Sequence, residues 1–168
     1  IRYSEAFEQA AWVAYELTSD ETNRLYERSN DFESDPNVRT GSATDRDYKG
    51  SGYDRGHLAP AAAFTCNTHM LHKTFSYLNC ALQDQYLNRG TWRLLEAYER
   101  QLAATSTVKV EIILEFKNSS KLPTGATVPS GFYKKITAGT KVYMYYFANA
   151  KPVSSKYSDY EIKVWPKK

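Results

Sequence analysis

The stretch VKVEIILEF (108–116) decides the class of fold. Val108, Val110, Ile112, Leu114 and Phe116 take every second position, with largely polar neighbours between them. Strand side chains alternate between faces, so the pattern predicts a strand with one buried face. Downstream, GFYKKIT (131–137), KVYMYYFAN (141–149) and DYEIKVW (159–165) follow, separated by Gly, Pro and Ser turns. They predict further antiparallel strands. Upstream, residues 87–104 carry Leu94, Leu95, Tyr98 and Leu102 at three- and four-residue spacing, the core-facing stripe of a long helix. FSYLNCAL (75–82) reads as a short buried strand and AAWVAYEL (10–17) as a strand led by Trp12, Val13 and Tyr15. The polar stretch 18–48 reads as a long surface loop with one short helical turn. The expected class is α+β, an antiparallel sheet with a long central helix. With 168 residues and no internal repeat, one domain over 1–168 is expected.

Composition narrows function only a little. A net charge of +3 is compatible with a polyanionic partner without requiring one. The 14 tyrosines suit half-buried strands, and the same rings can stack on bases. No apolar run approaches the roughly 20 residues of a membrane-spanning helix, so membrane insertion is not expected. The chain begins at Ile1, which reads as a processed or trimmed product and leaves any targeting peptide undetermined. Cys66 and Cys80 fit a disulfide and two reduced thiols almost equally well.

Reactive groups concentrate in two places. In YKGSGYDRGHLAP (48–60), Asp54-Arg55-Gly56-His57 sets an imidazole, the natural base near neutral pH, close to a guanidinium that can grip a phosphate. The intervening Gly56 leaves room for a bulky backbone substrate to approach. A turn with an Asp–Arg pair and a solvent-facing histidine accounts for the string equally well. On the expected helix, Asn88 and Glu96 lie within about 80° of each other around the axis, and Arg100 is one turn beyond Glu96. An amide oxygen, a carboxylate and a guanidinium can share a cleft, although spacing alone favours an ordinary exposed ion pair. Cys66, His69, His72 and Cys80 form a third group, a zinc-ligand set whose spacing matches no common structural zinc pattern closely.

Two segments in order, YKGSGYDRGHLAPAA (48–62) and TFSYLNCALQDQYLNRGTWRLLEAYER (74–100), resemble the DNA/RNA non-specific endonuclease family. WVAYELT, LPTGATVPSGFYKKI and YSDYEIKV extend the likeness more weakly. The resemblance implies a ββα-metal (His-Me finger) active site. His57 would be the general base, and Asn88 the sole protein ligand of a hydrated Mg²⁺ that Mn²⁺ can replace. Glu96 would orient metal-bound water, Arg55 and Arg100 would contact the scissile phosphate, and Asn79 would support the histidine loop. The implied activity is metal-dependent, largely sequence-nonspecific cleavage of DNA and RNA to 5′-phosphate products. Expected partners are double- and single-stranded DNA, RNA and, as a further candidate, an inhibitor protein. Expected localisation is secreted or periplasmic, with a mitochondrial or other sequestered compartment as the alternative.

The chain departs from the family pattern in three ways. Asn30 stands where many members have arginine, with Arg28 two residues earlier. The strand VEIILEF lacks the usual Thr-Gly-Pro, and the chain ends after DYEIKVWPKK where relatives continue. The competing readings are a catalytically idle nucleic-acid-binding module of the same fold and a zinc-stabilised interaction domain.

Overall fold

The computed structural model describes residues 1–166, with Thr22 described by its backbone alone; Lys167 and Lys168, the end of the expected domain, lie outside the described residues. Its main sheet has five antiparallel strands: β1 (Arg2–Ser4), β2 (Gln9–Leu17), β5 (Val108–Glu115), β6 (Gly131–Ala138) and β7 (Lys141–Ala148), in that spatial order. The alternation is realised over 108–115, with Val108, Val110, Ile112 and Leu114 all buried, while Phe116 lies past the strand end and is only partly buried. β3 (Tyr53–His57) and β4 (Cys80–Asp84) form a second, two-stranded antiparallel sheet.

The expected helix 87–104 is composite. A turn of helix α3 (Gln85–Leu87) passes through a π-type turn at Asn88–Trp92 into α4 (Arg93–Ala103). Gly90 absorbs the change at φ −105°, ψ −107°, well outside helical values. The inward stripe also differs from the expected one. Leu95 is fully buried but Leu94 is 39% exposed, and the next inward positions are Glu99 and Ala103. Trp92, Leu95 and Ala103 pack against Val110, Ile112, Phe132 and Ile136 of the sheet.

Glu99 is tolerated there because it is paired. Lys134 Nζ, fully buried, donates to Glu99 Oε1 at 2.7 Å, and Tyr15 OH donates to Oε2 at 2.6 Å. The ammonium also sits 3.9 Å from the centroid of the Trp92 ring. Lys134 shares register parity with Phe132 and Ile136, so the pleat turns it inward.

Three expectations are corrected. DYEIKVW forms no strand: Tyr157–Tyr160 is a 3₁₀ turn, followed by one isolated bridge from Glu161 to Tyr145. Tyr157 stacks on Tyr98 and Tyr160, three residues on, lies tilted against Phe147, with centroids at 5.4 and 4.9 Å, and that spacing suits a turn, not a strand. FSYLNCAL becomes strand only from Cys80, because Phe75 closes helix α2 (Thr68–Thr74) and Tyr77–Asn79 is a 3₁₀ turn. The 18–48 stretch holds two helical turns, Ser19–Thr22 and α1 (Asp45–Tyr48). Among the described residues no helix is long and apolar enough to cross a membrane.

Candidate active site

β3 and β4 pair with His57 opposite Cys80 and Tyr53 opposite Asp84, and β4 runs directly into the composite helix. Asp84 makes that junction, its Oδ1 accepting from Tyr86 N at 2.9 Å and Leu87 N at 3.0 Å. Asn149, at the end of β7, ties the unit to the main sheet. Its Oδ1 accepts from Asp84 N at 2.7 Å, and its Nδ2 donates to the carbonyls of Leu82 and Pro129, both at 2.8 Å. The ββα unit is thereby set at a defined angle to the core.

The arrangement brings His57, Asn88 and Glu96 onto one cavity of about 490 Å³. Arg28, Arg55, Arg89, Arg93 and Arg100 line the same space. Two of the five guanidinium groups are paired with Asp45 and Asp54, and the remaining three beside Glu96 leave the cleft net positive, suited to a phosphate backbone.

His57 is 8% exposed, its ring between Phe32 and Phe75 with centroids at 5.4 and 5.2 Å. Nε2 is buried without a hydrogen-bond partner. Burial, reinforced by the nearby charge of Arg28, pulls its pKa from 6.5 down to about 4 against a hydrogen bond with the Arg55 backbone. The ring is therefore neutral across the physiological range, with a lone pair available. The loop after it is clamped by Asn79, whose Oδ1 accepts from Ala59 N at 2.9 Å. Asn79 Nδ2 donates to the carbonyls of Ala59 and Thr74 at 2.8 and 3.0 Å. Asn79 thus acts on the loop and does not line the cavity.

Arg55 is less free than expected, because its guanidinium is ion-paired with Asp45 and lies 5.0 Å from the Phe32 ring centroid. Gly56 also has a different reason from the one expected. A Cβ there would come within 2.6 Å of Gln83 Cβ, so the missing side chain makes room for Gln83 of the neighbouring strand and not for substrate.

Asp54 is the residue that spacing did not single out. Its Oδ2 accepts from Asn88 Nδ2 at 2.8 Å, while Arg89 Nε and Nη2 grip the two carboxylate oxygens at 2.8 and 2.6 Å. A carboxylate only accepts, so Asn88 must present its nitrogen to Asp54, leaving Oδ1 for another partner. Glu96 is half-buried, and that burial raises its pKa to about 7, with Lys134 opposing and Glu99 assisting. Arg28, two residues before Asn30, lines the cavity, whereas Asn30 does not. The only sequence signal was an arginine two residues from the vacant position.

The zinc-domain reading is not supported. Cys66 and Cys80 are unbonded, Cys80 is buried in a separate apolar cluster, and His72 lies 3.6 Å from Glu33. Among the described residues no three His, Cys, Asp or Glu side chains come together as a metal site.

A family model for DNA/RNA non-specific endonuclease matches residues 1–165, and the chain belongs to that family. It is 40% identical over 98 residues to the mitochondrial endonuclease G of Bos taurus, covering 57% of this chain and 33% of that protein. It is 31% identical over 182 residues to a nuclease of Nostoc sp., covering 98% of this chain and 65% of the other. The chain thus spans between a third and two thirds of these relatives. Among solved structures, EndoG in a complex with EndoGI, described as showing the mechanism of EndoG inhibition, superposes with a TM-score of 0.85 at 26% identity, over 97% of this chain and 76% of that one.

Proposed function

We propose that this protein is a metal-dependent, largely sequence-nonspecific endonuclease that hydrolyses phosphodiester bonds of DNA and RNA. The observation that carries the reading is the convergence of His57, Asn88 and Glu96 in one arginine-lined cavity. His57 Nε2 takes a proton from a water molecule positioned in line with the scissile phosphorus. The new P–O bond forms as the bond to the 3′ oxygen breaks, and that oxygen takes a proton from solvent water, giving 5′-phosphate and 3′-hydroxyl ends. Arg28 and Arg100 hold the phosphate, and its charge offsets the Arg28 cation that depresses the His57 pKa, so substrate binding strengthens the base. Arg55 steadies the cleft from its pair with Asp45. Contacts directed at phosphates and not base edges carry little sequence information, which accounts for low specificity.

The residues fit a hard divalent cation. Asn88 Oδ1, left free by the Asp54 contact, would be the direct ligand, and Glu96, which lines the same cavity, would orient water around the ion. One neutral ligand and one carboxylate in a positive cleft suit an ion that keeps most of its water and enters with the phosphate, as Mg²⁺ or Mn²⁺ does. When bound, the ion neutralises charge on the phosphate and the departing oxygen.

Mitochondrial relatives support the sequestered-compartment alternative for localisation, and the inhibitor complex of EndoG supports an inhibitor protein as a partner. The test is incubation of plasmid DNA and of RNA with the protein and Mg²⁺, with and without EDTA. Cleavage of both that EDTA abolishes, and that His57→Ala removes while DNA binding persists, is expected. Binding without cleavage by the wild type would favour the idle module.

A further inference from the structure

Beside the catalytic cavity lies a second one of about 320 Å³, lined by Arg24, Arg28, Ala62, Thr65 and Arg100. Arg28, Ala62 and Arg100 border both cavities, so the two are contiguous. Arg24 borders only the second. Among the described residues none of these three arginines is ion-paired with a carboxylate, whereas Arg55 and Arg89 both are. Arg100 Nη1 is buried and has no hydrogen-bond partner. A buried guanidinium N–H without an acceptor is costly, and the acceptor it lacks is an anion or a polar oxygen.

The segment bearing Arg24 and Arg28 is held in place. Leu25 N and Tyr26 N both donate to the Thr65 carbonyl, at 3.2 and 2.9 Å, which fixes the backbone between the two arginines against the cavity wall. Arg28 also lies with its guanidinium carbon 5.5 Å from the Phe75 ring centroid. A cluster of guanidinium groups on an anchored backbone, opening onto a catalytic cleft, matches a tetrahedral oxyanion that each fork can meet with paired donors.

We infer that this second cavity is a subsite for the phosphate next to the scissile one on the same strand, with Arg24 as its dedicated contact. The inference rests on the nuclease reading above. Arg28 and Arg100 are shared between scissile and neighbouring phosphates, while Arg24 senses only the neighbour. The subsite gives the enzyme a preference for polymer over isolated diesters without any base contact.

The experiment compares wild type, Arg24→Gln and Arg24→Lys on two substrates. One is bis(p-nitrophenyl) phosphate, a single diester with no neighbour, and the other is a short single-stranded oligonucleotide. Arg24→Gln is expected to raise KM for the oligonucleotide about fivefold with kcat unchanged, and to leave the chromogenic diester within about twofold of wild type. The slope of log KM against log salt should become shallower by about 0.7, the value of one single-strand phosphate contact. Arg24→Lys should retain that slope. An unchanged oligonucleotide KM, or equal losses on both substrates, overturns the subsite alone. Wild-type protein inactive on both substrates removes the nuclease reading and the subsite with it.

Discussion

Replacing His57 by a residue that does not titrate should flatten the acid limb of the stability curve. In the folded chain the imidazole has a pKa of about 4, against 6.5 for an unhindered histidine, chiefly because burial between Phe32 and Phe75 disfavours the cation. Because the folded value is the lower one, the folded chain binds fewer protons than the unfolded chain between pH 6.5 and pH 4. Stability is therefore full above pH 6.5 and falls as acid is added through that window. The gap between the two values corresponds to a loss of about 3 kcal/mol by pH 4. Urea unfolding at intervals from pH 7.5 to pH 4 measures it, using His57→Gln as the reference because every carboxylate titrates alike in both proteins. Wild type should lose about 3 kcal/mol more than the variant across the window. Parallel curves would refute the argument, since they would mean that the ring is solvated. On the proposed mechanism, cleavage depends on the same group. The sequence suggests activity declining below about pH 6, where free imidazole protonates, but the buried ring keeps its lone pair to lower pH and moves that limb down.

Asp54→Asn removes the carboxylate that orients Asn88 and pairs with Arg89, so the Mg²⁺ concentration for half-maximal cleavage should rise by about tenfold or more; an unchanged metal titration would sink that positioning role. Lys134→Met strands Glu99 in the core and should cost about 3–5 kcal/mol in denaturant unfolding, with Lys134→Met/Glu99→Leu recovering most of it. If the double variant is no more stable than the single, charge burial is not the cause. Gly56→Ala forces a Cβ against Gln83 and should cost about 1–3 kcal/mol in thermal unfolding, and a wild-type Tm would show that β4 yields freely.

Where local chemistry dominates, the chain was readable. Alternation in 108–116 predicted β5 because the pleat places every second side chain inward whatever the strand packs against. His57, Asn88 and Glu96 were nameable because the family motif prescribes them, yet the helical geometry used to join the last two was only approximate. The π-type turn at Gly90 changes the angle between them, and a pattern of apolar spacing does not report one wide turn. DYEIKVW failed because an alternating pattern on a short segment competes with aromatic docking, here of Tyr160 on Phe147, with Tyr157 just upstream docked on Tyr98.

Periodicity and motif alone thus determined the α+β class and the family likeness and named the candidate reactive residues, all of which depend on side-chain chemistry or short-range periodicity. Tertiary packing settled the rest, because it depends on which distant groups meet. It turned Lys134 and Glu99 inward to satisfy each other and set Asp54 against Asn88. It also brought Arg28 to the wall of the cavity that holds His57 and depressed the pKa of His57 by enclosing it between two rings. Each of these requires partners at least 25 residues apart in the chain, except Phe75 beside His57, and no local pattern records such a meeting.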